Sequence, residues 1–192
     1  MKLKEAFYLR EDVVEIAKDL LGKYLFTTFN GEVTAGIITE TEAYNGIIDK
    51  ASHAYNDRRT TRTEIMYHKG GVAYIYLCYG VYSLFNVVTN KEGIPHAVLI
   101  RGVKPIEGLD IIKNRLNKTN LDTYKLDGPG KLTKALGIHY SQTGTDLNSN
   151  IIWLEDRNYK INTKDIIITK RVGVAYAKED ALLPYRFVLN LK

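Results

Sequence analysis

The sequence lacks the cysteine pairs that cross-link a protein and the long apolar runs that anchor one in a membrane. It has 192 residues and a single cysteine, Cys78, so no disulfide can form within the chain. A lone thiol is typical of a reducing compartment, and we therefore expect a cytoplasmic protein. No run approaches the roughly 18 consecutive apolar residues that a membrane-spanning helix needs, which argues against a membrane partner.

Motifs that mark a cofactor or a metal are missing as well. The dinucleotide pattern G-x-G-x-x-G and the nucleophile pattern G-x-S-x-G do not occur. Residues 127–131 lack both the spacing and the Ser or Thr of a phosphate-binding P-loop. The four histidines have no paired spacing, and one cysteine makes a structural zinc site a weak hypothesis. We therefore predict no metal and no organic cofactor.

The chain is rich in tyrosine and mildly basic. It has 14 Tyr against 5 Phe and 1 Trp, and 27 Lys and Arg against 22 Asp and Glu, for a net charge of +5. A tyrosine ring can stack on a base while its hydroxyl meets water, but β-propensity alone accounts for most of these residues. The charge permits a nucleic-acid partner without requiring one.

The hydrophobic pattern predicts a single α+β domain over residues 1–192. Strands outnumber helices and mostly join as hairpins, which favours a mixed, largely antiparallel sheet with packed helices. The strongest turn signal is Asn30-Gly31, because both residues tolerate positive φ. The predicted helices are residues 11–21, 61–67, 105–116 (opened by Pro105) and 129–136. The predicted strands are 24–30, 33–41, 72–78, 81–89, 96–103, 150–154, 165–174 and 185–191, with polar loops at 45–60 and 118–128.

Two carboxylates lie at the end of an apolar strand, in residues 39–44. Strand alternation places Glu40, Glu42 and Tyr44 on one face. A carboxylate at a strand end beside an aromatic ring can act as a general base. A solvent-exposed polar face explains the same pattern, and this segment alone favours that simpler explanation.

The segment 72–82 carries four tyrosines around an apparent hairpin. Tyr74 and Tyr76 share a face, whereas Tyr79 stands beside Gly80 at the tip. Proteins that deform DNA from the minor groove insert such rings between base steps. A tyrosine folded back on its own hairpin fits the pattern equally well.

Basic residues cluster in two polar stretches, one of them beside a predicted helix start at residues 128–130. A glycine-flanked helix N-terminus with a lysine can hold a phosphate, although a solvated charged loop is the usual explanation. The candidate phosphate contacts are Arg58, Arg59, Arg62, Lys131 and Lys134.

Taken in order, these segments resemble the alkyladenine (3-methyladenine) DNA glycosylase family, in its bacterial form without a long N-terminal extension. The matching segments are 40–44, 52–54, Arg62 with Met66, 74–86, Arg101 and 128–132. Each is short, but their order and spacing together are highly specific. The resemblance implies a protruding β-hairpin and an enzyme that flips alkylated or deaminated purines out of duplex DNA and hydrolyses their glycosidic bond.

The resemblance also implies a role for each matching residue. Glu42 is the general base that activates water, and Arg101 helps to hold that water. Tyr79 fills the gap that the flipped base leaves in the duplex. The implied substrate-binding residues are Tyr44, His53 and Tyr76 as an aromatic sandwich, the backbone at His53 with Ala54 at the purine edge, and Asn86 opposite the exocyclic amino group of normal guanine.

Two departures from the family pattern, Thr63 and Tyr185, concern substrate range rather than reaction class.

The implied partner is double-stranded DNA with damaged purines, bound by a monomer in the nucleoid region of the cytoplasm. In the reaction that the resemblance implies, water attacks the sugar, so no lysine nucleophile is needed and the enzyme is expected to be monofunctional. A non-catalytic nucleic-acid-binding module of the same fold is the alternative. A third hypothesis, a formyltransferase-like or translation-related domain, lacks support because it gives no function to Glu42 or Tyr79.

Overall fold

The structure is a computed structural model and describes residues 1–120 and 126–190. Its strands are β1 Tyr24–Phe29, β2 Glu32–Tyr44, β3 Ala73–Cys78, β4 Tyr82–Thr89, β5 His96–Glu107, β6 Leu126–Asp127, β7 Ile152–Glu155, β8 Ile166–Thr169 and β9 Arg186–Leu189. Its α-helices are α1 Glu5–Tyr8, α2 Val13–Asp19, α3 Leu109–Leu116 and α4 Pro129–Leu136. Turns of 3-10 helix cover Gly46–Ile48, Tyr55–Asp57, Glu64–Tyr67, Tyr140–Gln142, Thr163–Asp165 and Ala175–Leu182. Within the described ranges, no helix combines the length and apolarity needed to cross a membrane.

The strands form one curled antiparallel sheet with β2 near its centre. The main strand order is β3-β4-β5-β2-β1-β7, with β6 on β5 and β8 on β9. The first half of β2 pairs with β1, its second half pairs with β9, and β5 runs along its other edge. The predicted α+β class, with a largely antiparallel sheet and packed helices, is confirmed.

Helix α2 covers one face of β2 and thereby fixes where the other face points. The Asp12 carboxylate caps the helix by accepting the backbone N–H groups of Val14 and Glu15 at 2.8 and 3.1 Å. The Thr41 hydroxyl donates to the Ala17 carbonyl at 2.7 Å and ties the strand to the helix. Because side chains alternate along a strand, the residues on either side of Thr41 point away from α2.

The turn between β1 and β2 follows the prediction. Asn30 and Gly31 have φ values of 53° and 77°, and they lie between the paired residues Phe29 and Glu32. Positive φ at both central positions matches the right-handed twist of the flanking strands. This two-residue turn sets the register of β2 against β1.

The predicted helix start at Pro105 is wrong. Pro105 lies inside β5 and pairs with Gly36, at a point where the register of the two strands shifts. Such an irregularity tolerates a residue without an N–H group. Gly108 then adopts a left-handed conformation, with φ 68°, and α3 begins at the next residue.

Other boundaries also differ from the prediction. The strand predicted over residues 165–174 ends at Thr169, because the chain turns so that Arg171 reaches the buried Asp49. Within the predicted loop 118–128, residues 126–127 form β6, while 121–125 lie outside the described residues. Residue 191, the end of the last predicted strand, also lies outside them.

Candidate active site in an aromatic pocket

A β-bulge between β2 and β5 positions the candidate catalytic arginine. Glu40 pairs with Gly102, but the next residue of β2 pairs with Ile100. Arg101 is therefore an extra residue, and a bulge of this kind redirects a side chain. The Arg101 Nε lies 2.9 Å from Glu40 Oε1 and 3.3 Å from Glu42 Oε1. The structure thus places both predicted catalytic residues together.

The Glu42 carboxylate is buried and held in one orientation. Its Oε1 accepts the Val172 backbone N–H at 2.8 Å, and its Oε2 accepts the Tyr44 hydroxyl at 2.9 Å. The Glu42 side chain is 0% exposed and that of Glu40 is 4% exposed. The simpler explanation from the sequence, a solvent-exposed polar face, is therefore wrong.

The two carboxylates differ in basicity. Burial raises the pKa of Glu42, and the charge of Arg101 and two hydrogen bonds offset this only in part. Burial also acts on Glu40, but hydrogen bonds from Arg186 and Arg101 outweigh it and lower its pKa. Glu40 consequently stays ionised as an anchor for two arginines. Glu42 is the better proton acceptor of the pair.

Beside Glu42 is a pocket with mostly aromatic walls. The ring centroids of His53 and Tyr76 lie 4.7 Å apart at an interplanar angle of 73°, and those of Tyr74 and Tyr76 lie 5.4 Å apart. His53 and Tyr76 thus touch edge to face and form one wall, with no slot between them. The residues that line the pocket are Tyr44, Ala51, His53, Met66, Tyr74, Tyr76, Asn86, Ala97 and Tyr176.

His53 is a neutral member of this wall. Its Nδ1 lies 2.8 Å from the Tyr74 hydroxyl. Burial, followed by the positive charges of Arg62 and Arg58, lowers the pKa of His53 to about 4. A neutral imidazole can stack beside a cationic ligand, whereas an imidazolium would repel it.

The lowered pKa of His53 predicts a specific loss of stability in acid. Near pH 6.5 the unfolded chain takes up a proton on His53 that the folded protein binds only near pH 4. Stability is therefore present above pH 6.5 and falls as the pH drops from 6.5 to 4, by up to about 3 kcal/mol from this group. Urea unfolding of wild type and His53→Gln across pH 4–7 measures the difference. Parallel stability curves for the two proteins would contradict the prediction.

The two remaining substrate-binding candidates occupy different places. Asn86 is buried on β4, lines the pocket, and donates from Nδ2 to the Tyr74 carbonyl at 3.1 Å. Ala54 is fully buried behind the pocket, in a cluster with Met66, and its N–H donates to the Ser52 hydroxyl at 3.2 Å. Ala51, which the sequence did not single out, lines the pocket instead.

Comparisons with known proteins assign this site to a family. A family model described as methylpurine-DNA glycosylase matches residues 6–192. A relative from Chlamydia felis is 46% identical over 191 residues, covering 99% of this chain and 97% of the relative. Relatives from Clostridium acetobutylicum and Bacillus cereus are 44% and 42% identical, covering 99% and 97% of this chain and 95% of each relative. All three carry the provisional name 3-methyladenine DNA glycosylase.

The chain belongs to the methylpurine-DNA glycosylase family. The match spans almost the whole sequence, so it includes both the Glu42 strand and the hairpin. The resemblance drawn from the short motifs is confirmed. Family membership identifies a DNA glycosylase, with DNA as its partner.

The tip of the β3–β4 hairpin presents Tyr79 to solvent. The Tyr79 side chain is 93% exposed, and its φ of 52° is followed by 70° at Gly80. The Val81 N–H donates to the Cys78 carbonyl at 3.1 Å and closes the turn. The alternative in which Tyr79 folds back on its own hairpin is therefore wrong. The ring of Tyr79 therefore takes no part in packing the core of the glycosylase.

The first basic cluster of the glycosylase borders the pocket. Arg58 and Arg62 are exposed and lie near enough to His53 for their charges to lower its pKa. Arg59 is engaged differently, because it pairs with Glu64 at 3.2 Å and its guanidinium lies 3.9 Å from the Tyr67 ring centroid. Arg58 and Arg62 are thus better placed than Arg59 to meet a phosphate beside the pocket.

The second basic cluster lies beside the hairpin. Lys131 and Lys134 line a groove together with Tyr79 and the N-terminus of α4. Lys134 is exposed and Lys131 is half-buried. The two clusters therefore lie beside the pocket and beside the exposed ring of Tyr79, respectively.

The segment 171–176 contributes to the site and was missed from the sequence. Tyr176 lines the pocket and donates its hydroxyl to the Ala51 carbonyl at 3.0 Å. Val172 contributes only its backbone N–H, and the identity of the residue does not reveal the role of a backbone group. Arg186, also missed, donates to Glu40 at 2.7 Å. Among the residues that the structure describes, no group of three or more His, Cys, Asp or Glu could hold a metal ion.

Proposed function

We propose that this glycosylase removes alkylated and deaminated purines from duplex DNA by hydrolysis, with Glu42 as the base that activates water. The observation that carries the proposal is a buried carboxylate of raised pKa, fixed by two hydrogen bonds, beside a pocket with aromatic walls. A buried carboxyl with a raised pKa beside such a pocket is a general-base candidate on physical grounds.

In the proposed reaction the damaged nucleotide leaves the stack and its base enters the pocket. Glu42 accepts a proton from water while the water oxygen bonds to the sugar C1′ atom. The bond from C1′ to the purine nitrogen breaks, and its electron pair leaves with the purine. A purine methylated on a ring nitrogen enters as a cation and leaves neutral, so it needs no added proton. Hypoxanthine enters neutral and therefore leaves as an anion, which takes up a proton from solvent. Arg101 holds the carboxylates in register and helps to fix the water.

The pocket suits a planar and electron-poor base. Aromatic faces attract a cation by roughly 0.5–2 kcal/mol per contact, and a neutral His53 adds no repulsion. Because His53 and Tyr76 form one wall, the opposite face of the base would meet Tyr44. The buried amide of Asn86, fixed on the Tyr74 carbonyl, would oppose the exocyclic amino group of normal guanine. Damaged pairs also open at a lower cost, which favours their selection.

The residues around the pocket support a monofunctional reaction within one chain. None of the described residues that line the pocket is a lysine, so none can form an imine with the sugar and cleave the strand. Those residues come from β2, β3, β4, β5 and the connecting turns of a single chain.

Single-turnover assays on duplexes that each carry one lesion test the proposal. We expect release of free methylated adenine and of hypoxanthine, leaving an intact strand with an abasic site, and no adduct trapped by borohydride. An undamaged duplex is the control. Binding without release from any lesion would favour the non-catalytic binding module instead.

The basic clusters predict a steep dependence of DNA affinity on salt. Each phosphate that an arginine or lysine neutralises releases counterions, so the slope of log affinity against log salt steepens by about one per contact. Arg62→Gln and Lys134→Gln should each reduce this slope by about one when binding is measured by fluorescence anisotropy. Arg157, which packs over Phe26 on the distant β1, provides the matched control, since Arg157→Gln should leave the slope unchanged. A flat salt dependence of the wild type would count against duplex DNA as the ligand.

A further inference from the structure

The most deeply buried ion pair in the described part of the chain lies directly behind the candidate active site. The side chains of Arg171 and Asp49 are 0% and 1% exposed. The guanidinium grips both carboxylate oxygens, with Nη1 to Oδ2 at 2.5 Å and Nη2 to Oδ1 at 2.8 Å. It also donates to the Ala43 carbonyl at 2.8 Å and to the Asp180 carbonyl at 3.1 Å. One side chain thus joins the end of β2 to two separate segments, at Asp49 and Asp180.

Most of these contacts bear on a group that the proposed reaction uses. Ala43 lies between Glu42 and Tyr44, so the hydrogen bond to its carbonyl fixes the backbone that carries both. The guanidinium carbon lies 4.8 Å from the centroid of the Tyr44 ring and backs that wall of the pocket. Val172, the next residue after Arg171, donates its N–H to Glu42. The Asp49 carboxylate, in turn, accepts the N–H of the pocket residue Ala51 at 3.0 Å.

We propose that Arg171 is a positioning residue, which holds Glu42 and Tyr44 in their working geometry through its forked contacts with Asp49 and Ala43. The inference rests on the proposed function, since it concerns the base and the wall named there. A buried ion pair is weak evidence for stability by itself, because desolvation costs about as much as the attraction returns. Because this pair contacts the segments that carry Glu42 and Tyr44, its role is to position those two residues.

Loss of the forked contacts of Arg171 with Asp49 and Ala43 should change the pH dependence of the reaction. The Val172 N–H lowers the pKa of Glu42, so misplacing that donor lets burial raise the pKa further. The acidic limb of the rate profile should then move to higher pH. The other titratable or charged groups that act on Glu42 are Glu40, Tyr44, Tyr76, Arg101, Arg171 and Tyr176. All except Arg171 are retained in the Arg171→Lys variant, which also keeps the positive charge.

The test is single-turnover base release from pH 4.5 to 9 by wild type, Arg171→Lys and the double variant Arg171→Gln with Asp49→Asn. The double variant leaves no buried charge unpaired, so it carries the test if the lysine variant fails to fold. We expect release at pH 7 to slow by tenfold or more and the acidic limb to shift upward. Arg115→Lys is the control, because Arg115 also bridges a carboxylate and a backbone carbonyl, those of Glu32 and Ala135. Arg115→Lys should leave the pH of the acidic limb unchanged.

Two results would overturn the inference. One is a folded Arg171 variant with a wild-type rate and limb. The other is a loss of activity that is equal at every pH and accompanied by a lower melting temperature, which is the mark of a merely structural role. Failure of the proposed function is recognised separately, because Glu42→Gln would then release base at the wild-type rate in the same assay.

Discussion

Replacement of Glu42 by Gln should slow single-turnover base release at neutral pH by at least about a hundredfold, the usual contribution of a positioned general base. The carboxamide has nearly the same shape as the carboxylate and can still accept the Val172 N–H. It cannot accept a proton from water. Binding of lesion-containing duplex should therefore stay within a few-fold of wild type, as measured by anisotropy at the same salt concentration.

A second carboxylate provides the control for that substitution. Glu155 lies on β7, is largely buried, and accepts the Trp153 indole N–H at 2.8 Å and an arginine hydrogen bond at 2.8 Å. Glu155→Gln should leave the rate of base release unchanged. A Glu42→Gln variant that retains near wild-type release, with its melting temperature preserved, would remove Glu42 from the mechanism.

Tyr79→Ser should reduce lesion binding by about tenfold or more while leaving the protein as stable as wild type. Flipping a nucleotide costs a few kcal/mol of stacking and pairing, and a ring in the vacated space recovers part of that cost. Tyr79 can serve in this way because its ring is 93% exposed at the hairpin tip and packs against no core. Base-analogue fluorescence beside the lesion should report a smaller fraction of flipped base.

The control for the hairpin ring is another exposed tyrosine. Tyr159 follows β7, on the edge of the sheet opposite the hairpin, and is 36% exposed. Tyr159→Ser should change neither flipping nor lesion affinity. If Tyr79→Ser instead melts several degrees lower with flipping unchanged, the ring has a structural role and the intercalation model is wrong.

Much of the site was predictable because local rules apply to it. Period-two alternation correctly placed Glu40, Glu42 and Tyr44 on one face, and the dipeptide Asn30-Gly31 correctly placed the turn that sets the register of β2. The position of Tyr79 beside Gly80 correctly indicated the tip of the hairpin. In each case the deciding interaction is between neighbours in sequence.

The rest depends on contacts between distant parts of the chain. The bulge at Arg101 exists only in the pairing of β2 with β5, so neither strand reveals it alone. Asp49 and Arg171 are 122 residues apart, and their pairing ends a strand that the apolar pattern predicted to continue. Pro105 looked like a helix start because proline is common at the first position of a helix, whereas Gly36 on the partner strand provides an irregular place for it in the sheet.

The most direct test of the account is the pH dependence of single-turnover base release from a duplex with one N-methylated purine. Such a base is already cationic and leaves without protonation, so the profile reports the state of Glu42 rather than that of the leaving group. Glu42 must be ionised to accept a proton, and burial raises its pKa above the usual value of 4.5. The rate, corrected for spontaneous depurination, should therefore rise with pH through a limb above 4.5 and then level off, and Glu42→Gln should abolish the limb. A wild-type rate that is flat down to pH 4.5, or that increases as the pH falls, would contradict the role of Glu42 as the general base.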